Sequence, residues 1–135
     1  MMIEDFDYDR ADYPTQKVAD VFPFELSKNL GHTWIFDVDG TIAEVNQHPY
    51  ENDTLLPGVK EMWAQIPADD MIIIMTARHE DVKQKTLEFI NSHGLRYDRA
   101  IFGVHHGERI VVNDNKPGGL QTAIAWNVKR NKGYN

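Results

Sequence analysis

Two carboxylates stand two residues apart in Asp37-Val38-Asp39-Gly40-Thr41. In a strand that spacing puts both on one face, and a turn at Gly40 re-aims the second. One such carboxylate can attack phosphorus while the other handles protons. Thr76-Ala77-Arg78 adds a hydroxyl and a guanidinium, and Asn113-Asp114-Asn115-Lys116 adds a third carboxylate with a lysine behind it. Asp37, Asp39 and Asp114 make an oxygen-rich, hard donor set that suits Mg²⁺ rather than zinc. Close carboxylates without a cation repel and raise a pKa, and a bound metal relieves this. Phosphoryl transfer needs little beyond a nucleophile, a metal and donors for the remaining oxygens.

Each segment also has a plainer reading. A DxDG run is often a turn or the start of a calcium loop. Such a loop needs further acidic ligands and a Glu at its twelfth position, whereas counting from Asp37 reaches His48. A Thr after a strand commonly caps a helix, and Asn-Asp commonly makes a turn. Arg78 reads equally as a surface arginine at a helix start or as a contact to a second part of a substrate. The segments gain weight together, because each follows an apolar run of strand length.

Those runs are the elements that must position the chemistry. Residues 32–37, with Trp34, Ile35 and Phe36 in succession, read as a strand buried on both faces. Residues 71–75 form the clearest buried strand, 100–102 a short one, and 109–113 a further one ending at Asp114. Pro57-Gly58 opens a helix at about Val59, with apolar residues at helical spacing until Pro67. A second helix covers 80–92 and closes at Gly94. Residues 43–56 read as a polar loop, and 120–128 as either a helix or a turn followed by an edge strand. Strands alternating with helices predict a mostly parallel central sheet covered on both faces. Ligands then bind outside the carboxyl ends of the strands, where the three segments would meet.

Composition sets the bounds. The length of 135 residues suits one domain, and 41% apolar residues suffice for one core. No apolar run approaches a membrane span. The basic and apolar features of a secretory signal are not seen at the start, and cysteine is absent; a cytoplasmic location is the default expectation. A formal charge of −7, with no basic stripe, argues against nucleic acid as a partner. Residues 1–30 are acidic, aromatic and aperiodic. They are expected to form an N-terminal arm or tail, with the domain proper over 31–135.

Phe36-Asp37-Val38-Asp39-Gly40-Thr41 resembles the first signature of haloacid dehalogenase-like phosphatases, Met75-Thr76 the second, and Val111-Val112-Asn113-Asp114 the fourth. The stretch from Met75 through Gly94 to Ile101-Phe102-Gly103 is also similar to polynucleotide 3′-phosphatase domains and to small capsule-biosynthesis phosphatases. The resemblance covers about residues 32–128 and implies a three-layer Rossmann-like fold. It implies that Asp37 attacks phosphorus and that Asp39 protonates the leaving group and then activates water. Mg²⁺ would be held by the Asp37 side chain, the Asp39 backbone carbonyl and Asp114. Thr76 and the backbone after Asp37 would hold phosphoryl oxygens, which makes Gly40, Thr41 and Ala77 substrate-binding positions.

One departure stands out. The third signature of that family is a lysine balancing charge near the nucleophile, and Val104 takes its place, followed by His105-His106. Lys116 is the nearest replacement, with His105 or His106 as alternatives; Asn113 and Asn115 are open as metal-shell candidates. The gaps between Thr41 and Leu56 and between Gly94 and Arg109 are too short for a folded cap. An open site suits a large substrate or a homo-oligomer. The expected substrate is a small phosphorylated metabolite, a sugar phosphate or nucleotide. The alternatives are a polynucleotide end, or a binding module that has lost turnover.

Overall fold

The structure, a computed structural model, describes residues 13–45 and 52–135. The acidic residues of the first dozen positions and part of the polar 43–56 loop lie outside the described residues. The chain divides into two compact units: residues up to Gly31 with Glu108–Asn127, and His32–Gly107 with Val128–Asn135. No helix among the described residues is long and apolar enough to cross a membrane.

The larger unit is a mixed α/β assembly around a three-stranded parallel sheet, with β3 (Thr33–Phe36), β4 (Met71–Thr76) and β5 (Arg99–Phe102) in that order. Trp34 stands opposite Ile72 and Phe36 opposite Ile74, while Thr76 stands opposite Phe102. These residues share one buried face. Helix α1 (Val59–Ala64) covers it through Val59, Met62 and Trp63, and the Trp63 ring stacks on Phe36 at 4.3 Å between centroids. A short 3₁₀ turn (Glu80–Val82) leads into α2 (Lys83–Ser92), which buries Thr86 and Ile90. Lys83 lies 5.9 Å over the Phe102 ring, on that same face. The two crossovers between adjacent strands thus carry both helices to one side.

The other face differs from expectation. Ile35 is 49% exposed and Ile101 44%, so the strands alternate between buried and open positions rather than burying both faces. The described residues thus supply a parallel sheet with helices on one face, which is coarser than three layers. Residues 109–113 take no place in a strand: Ile110 and Val112 are 82% and 88% exposed. Apolar composition favours a strand there, but a strand needs a ladder partner, and the described residues record none for it. Residues 120–128 are neither helix nor strand.

The smaller unit holds a two-stranded antiparallel ribbon, β1 (Thr15–Gln16) with β2 (Leu26–Ser27). Phe22 and Phe24 stack at 5.7 Å, and both meet the Trp126 ring edge-on. Phe22 and Phe24 therefore pack with one residue from far along the chain.

At the amino end of the sheet, buried Asp70 gathers several donors. Its carboxylate accepts from the His32 N–H and the Trp34 Nε1–H, and contacts His32 Nδ1 at 2.8 Å. The Arg96 guanidinium donates to the Asp70 carbonyl. Asp70→Ala removes the acceptor these groups share and should destabilise the fold by about 2 kcal/mol or more. Urea unfolding checks this, with a lower midpoint and an unchanged slope expected.

Candidate active site

Asp37 follows β3 by one residue, and Thr76 ends β4, the neighbouring strand. The two groups therefore lie at adjacent carboxyl ends of one parallel pair. Thr76 is fully buried, and its Oγ1 accepts the Arg78 N–H at 3.1 Å. The helix-cap reading of this threonine is thereby replaced by a local turn that fixes where Arg78 begins.

After Asp37 the chain folds into a tight turn. The Val38 carbonyl accepts the N–H groups of Thr41, Ile42 and Ala43, and the Gly40 N–H donates to the Ala43 carbonyl at 2.7 Å. Gly40 has φ 80°, a left-handed value that favours glycine, and an added Cβ would come within 3.0 Å of Arg130 Cγ. The turn was legible in Gly40; its consequence was not. The amides of Gly40 and Thr41 are committed inside the turn. Ala77, half-buried, sits between Thr76 and Arg78.

Arg78 is not a surface arginine: it is 2% exposed. A guanidinium has five N–H donors in a planar fork, and this one places all of them on protein. Nε and Nη2 donate to the two Asp39 carboxylate oxygens at 3.1 and 2.8 Å. Nη1 and Nη2 donate to the two Asp53 oxygens at 2.9 and 2.8 Å, and Nη1 also reaches Thr86 Oγ1 at 2.9 Å. Burial by itself would lower the pKa of Arg78. The hydrogen bonds and charges of Asp53 and Asp39 outweigh that and hold it above its ordinary value. Arg78 is therefore a fixed cation between two carboxylates.

Asp53 was not recognised from the sequence, where it stands in a polar loop. Its side chain is 4% exposed, less than the 31% of Asp39. The signal available was indirect: an arginine at the end of a buried strand requires carboxylate partners, since arginine is almost never fully buried unless paired. Asp53 was the residue of the right charge in a loop bridged back to the turn, because Ala43 pairs with both Asp39 and Leu55.

Tyr134 was also missed. Its hydroxyl donates to the Thr41 carbonyl at 2.8 Å. Burial first, and the charge of Asp37 second, push its pKa up to about 12. The phenol is thus neutral at physiological pH and keeps its one O–H on the Thr41 carbonyl, beside the Asp37 turn.

Of the remaining predicted residues, Asn113, Asp114, Asn115 and Lys116 belong to the smaller unit, and His105 and His106 to the larger. Lys116 Nζ lies 3.4 Å from Asp114 Oδ1, and the Asp114 side chain is 74% exposed. The Asn113 side chain donates to the Thr122 carbonyl, and the Thr122 hydroxyl donates to the Asp114 carbonyl. His105 and His106 are exposed in the loop after β5. The proposed magnesium donors are therefore divided: Asp37 and Asp39 in the larger unit, Asp114 in the smaller. Among the described residues no group of three His, Cys, Asp or Glu side chains comes together to hold a metal. With both Asp39 oxygens on Arg78, a metal has the Asp39 backbone carbonyl available rather than its carboxylate. The donor types fit a hard cation, and within the larger unit alone the set is incomplete.

Compared with protein-family models, curated proteins and solved structures, the chain finds no match.

Proposed function

We propose that this chain is a phosphohydrolase of the haloacid dehalogenase-like type, in which Asp37 attacks the phosphorus of a small phosphorylated metabolite and an aspartyl phosphate is then hydrolysed. The observation that carries the reading is the strand-end junction. An Asp-Val-Asp-Gly-Thr turn leaves β3 beside the terminal Thr76 of β4, and the second aspartate is clamped by a buried arginine. Magnesium is part of the proposal, with the Asp37 carboxylate, the Asp39 carbonyl and Asp114 as its donors. When bound, it would neutralise charge on the phosphoryl oxygens.

The roles of the chain's own residues follow from their chemistry. Asp37 supplies the nucleophilic oxygen. Thr76 and the backbone after Asp37 orient the phosphoryl group. Asp39 moves the protons, first to the leaving oxygen and then from water. To donate a proton, Asp39 must turn one oxygen from Arg78 towards substrate. Arg78, with its donors on Asp39 and Asp53, therefore acts in this reading by positioning Asp39. The three-layer arrangement remains part of the same proposal.

Phosphate release from a panel of sugar phosphates, nucleotides and an aryl phosphate, with Mg²⁺ and with chelator, tests the reading. Metal-dependent release from at least one of them is expected, and none from any of them contradicts it.

The missing lysine gives a separate prediction. If Lys116 replaces it, Lys116→Ala lowers the rate by roughly tenfold to a thousandfold. His105→Ala and His106→Ala then do less, because a neutral imidazole brings no charge. A histidine variant that loses more activity than Lys116→Ala, with activity falling as pH rises past about 6.5, assigns the cation to that histidine instead.

A further inference from the structure

The turn after Asp37 is held from outside by residues distant in sequence. The Asn131 N–H donates to the Gly40 carbonyl at 3.0 Å. The Asn131 side chain brackets the backbone of Val45, accepting its N–H at 2.9 Å and donating to its carbonyl at 3.4 Å. Asn131 does this with φ 64°, a left-handed value that asparagine tolerates better than most residues. Gly133 has φ 71°, and a Cβ there would overlap the Pro57 carbonyl. The Tyr134 N–H then donates to that Pro57 carbonyl, and its hydroxyl donates to the Thr41 carbonyl.

The result is specific to two peptide planes. The Gly40–Thr41 peptide is pinned at its oxygen by Asn131 and at its N–H by the Val38 carbonyl. The Thr41–Ile42 peptide is pinned at its oxygen by Tyr134 and at its N–H by the same Val38 carbonyl. A turn whose consecutive planes are fixed at both ends has little freedom to rotate. That turn connects Asp37 and Asp39 to the rest of the chain.

We propose that residues 131–134 form a strap that positions the nucleophile turn, with Asn131 and Tyr134 as positioning residues for the Asp37 reaction. The proposal rests on the phosphohydrolase reading for its kinetic consequence, but not for its structural one. Misplacing reacting groups by about 1 Å can cost on the order of a hundredfold in rate, so loosening the turn lowers kcat without removing a substrate contact.

The test uses Asn131→Gly, which keeps the left-handed backbone and removes the bracket on Val45, Asn131→Asp, which keeps the acceptor for the Val45 N–H, and Tyr134→Phe, which removes one hydroxyl. Amide hydrogen exchange is followed by NMR in the full chain. In Asn131→Gly and Tyr134→Phe, exchange at Thr41, Ile42 and Ala43 should rise about tenfold or more, with the β4 amides unchanged. With the best phosphate substrate, kcat should fall about tenfold while KM holds within about twofold, and Asn131→Asp should recover part of the loss. Unchanged exchange at the three amides overturns the strap. So does an equal rise in β4, which would mean general destabilisation. If Asn131→Gly does not fold, Tyr134→Phe decides by the same reading. If the wild type hydrolyses no phosphate, the phosphohydrolase reading fails, while the exchange result still decides whether the strap holds the turn.

Discussion

Asp37→Asn should reduce phosphate release to background, a loss on the order of 10⁴-fold or more. The amide has nearly the shape of the carboxylate but lacks its nucleophilic oxygen, so no aspartyl phosphate can form. The substitution is mild for the fold, because the group is half-buried at a strand end rather than in the core. A check that the site is intact is available in the same variant. Part of the upward shift of the Tyr134 pKa comes from the Asp37 charge and the larger part from burial. In Asp37→Asn the tyrosine should therefore titrate below about 12 but still above an ordinary phenol. Near-wild-type turnover in a variant with that titration removes Asp37 as nucleophile.

Arg78→Met should be the most destabilising single change in the larger unit. It removes five donors at once and leaves the Asp39 and Asp53 carboxylates facing each other across an apolar gap. Breaking a buried ion pair by removing one partner costs about 3–5 kcal/mol. In a domain of this size that lowers the melting temperature by roughly 10–20 °C. Arg78→Lys keeps the charge but loses the planar fork, so it should recover only part of this. Adding Asp53→Asn to Arg78→Met should restore stability, since one of the two uncompensated carboxylates is gone. Calorimetry on the three variants checks the order. A loss under about 1 kcal/mol for Arg78→Met would place the clamp among surface ion pairs and contradict its role.

Several elements were readable because one local signal dominated each. The run at 71–75 became β4, and Gly94, with φ 70°, closes α2 as the sequence required. Asp37 and Thr76 were brought to adjacent strand ends because parallel neighbours with helical crossovers must align their carboxyl ends. Burial was read less well. Three apolar residues in a row at 34–36 suggested two covered faces, yet only the Trp34 and Phe36 side is covered, since both crossover helices lie there. The segment 109–113 shows the limit of composition, because strand formation depends on a partner that no local pattern names.

The site was less legible than the fold. Asp37, Asp39, Thr76 and Arg78 carried visible types and spacing, but the clamp depends on Asp53, whose pairing spans 25 residues. Asn131 and Tyr134 act across 86 and 93 residues through backbone groups of the turn. Their partners are carbonyls and amides, which every residue has. Hydrogen bonds of that kind leave no mark in the identity of the residues they hold.

The central claim is a covalent phosphoryl group on Asp37, and mass spectrometry of acid-quenched protein tests it most directly. Wild-type protein stopped during turnover should carry the mass of one phosphoryl group on the peptide containing Asp37. The adduct should be removed by hydroxylamine and be absent from Asp37→Asn. Steady phosphate release with no adduct at Asp37 in the wild type, and continued release by Asp37→Asn, would contradict the account.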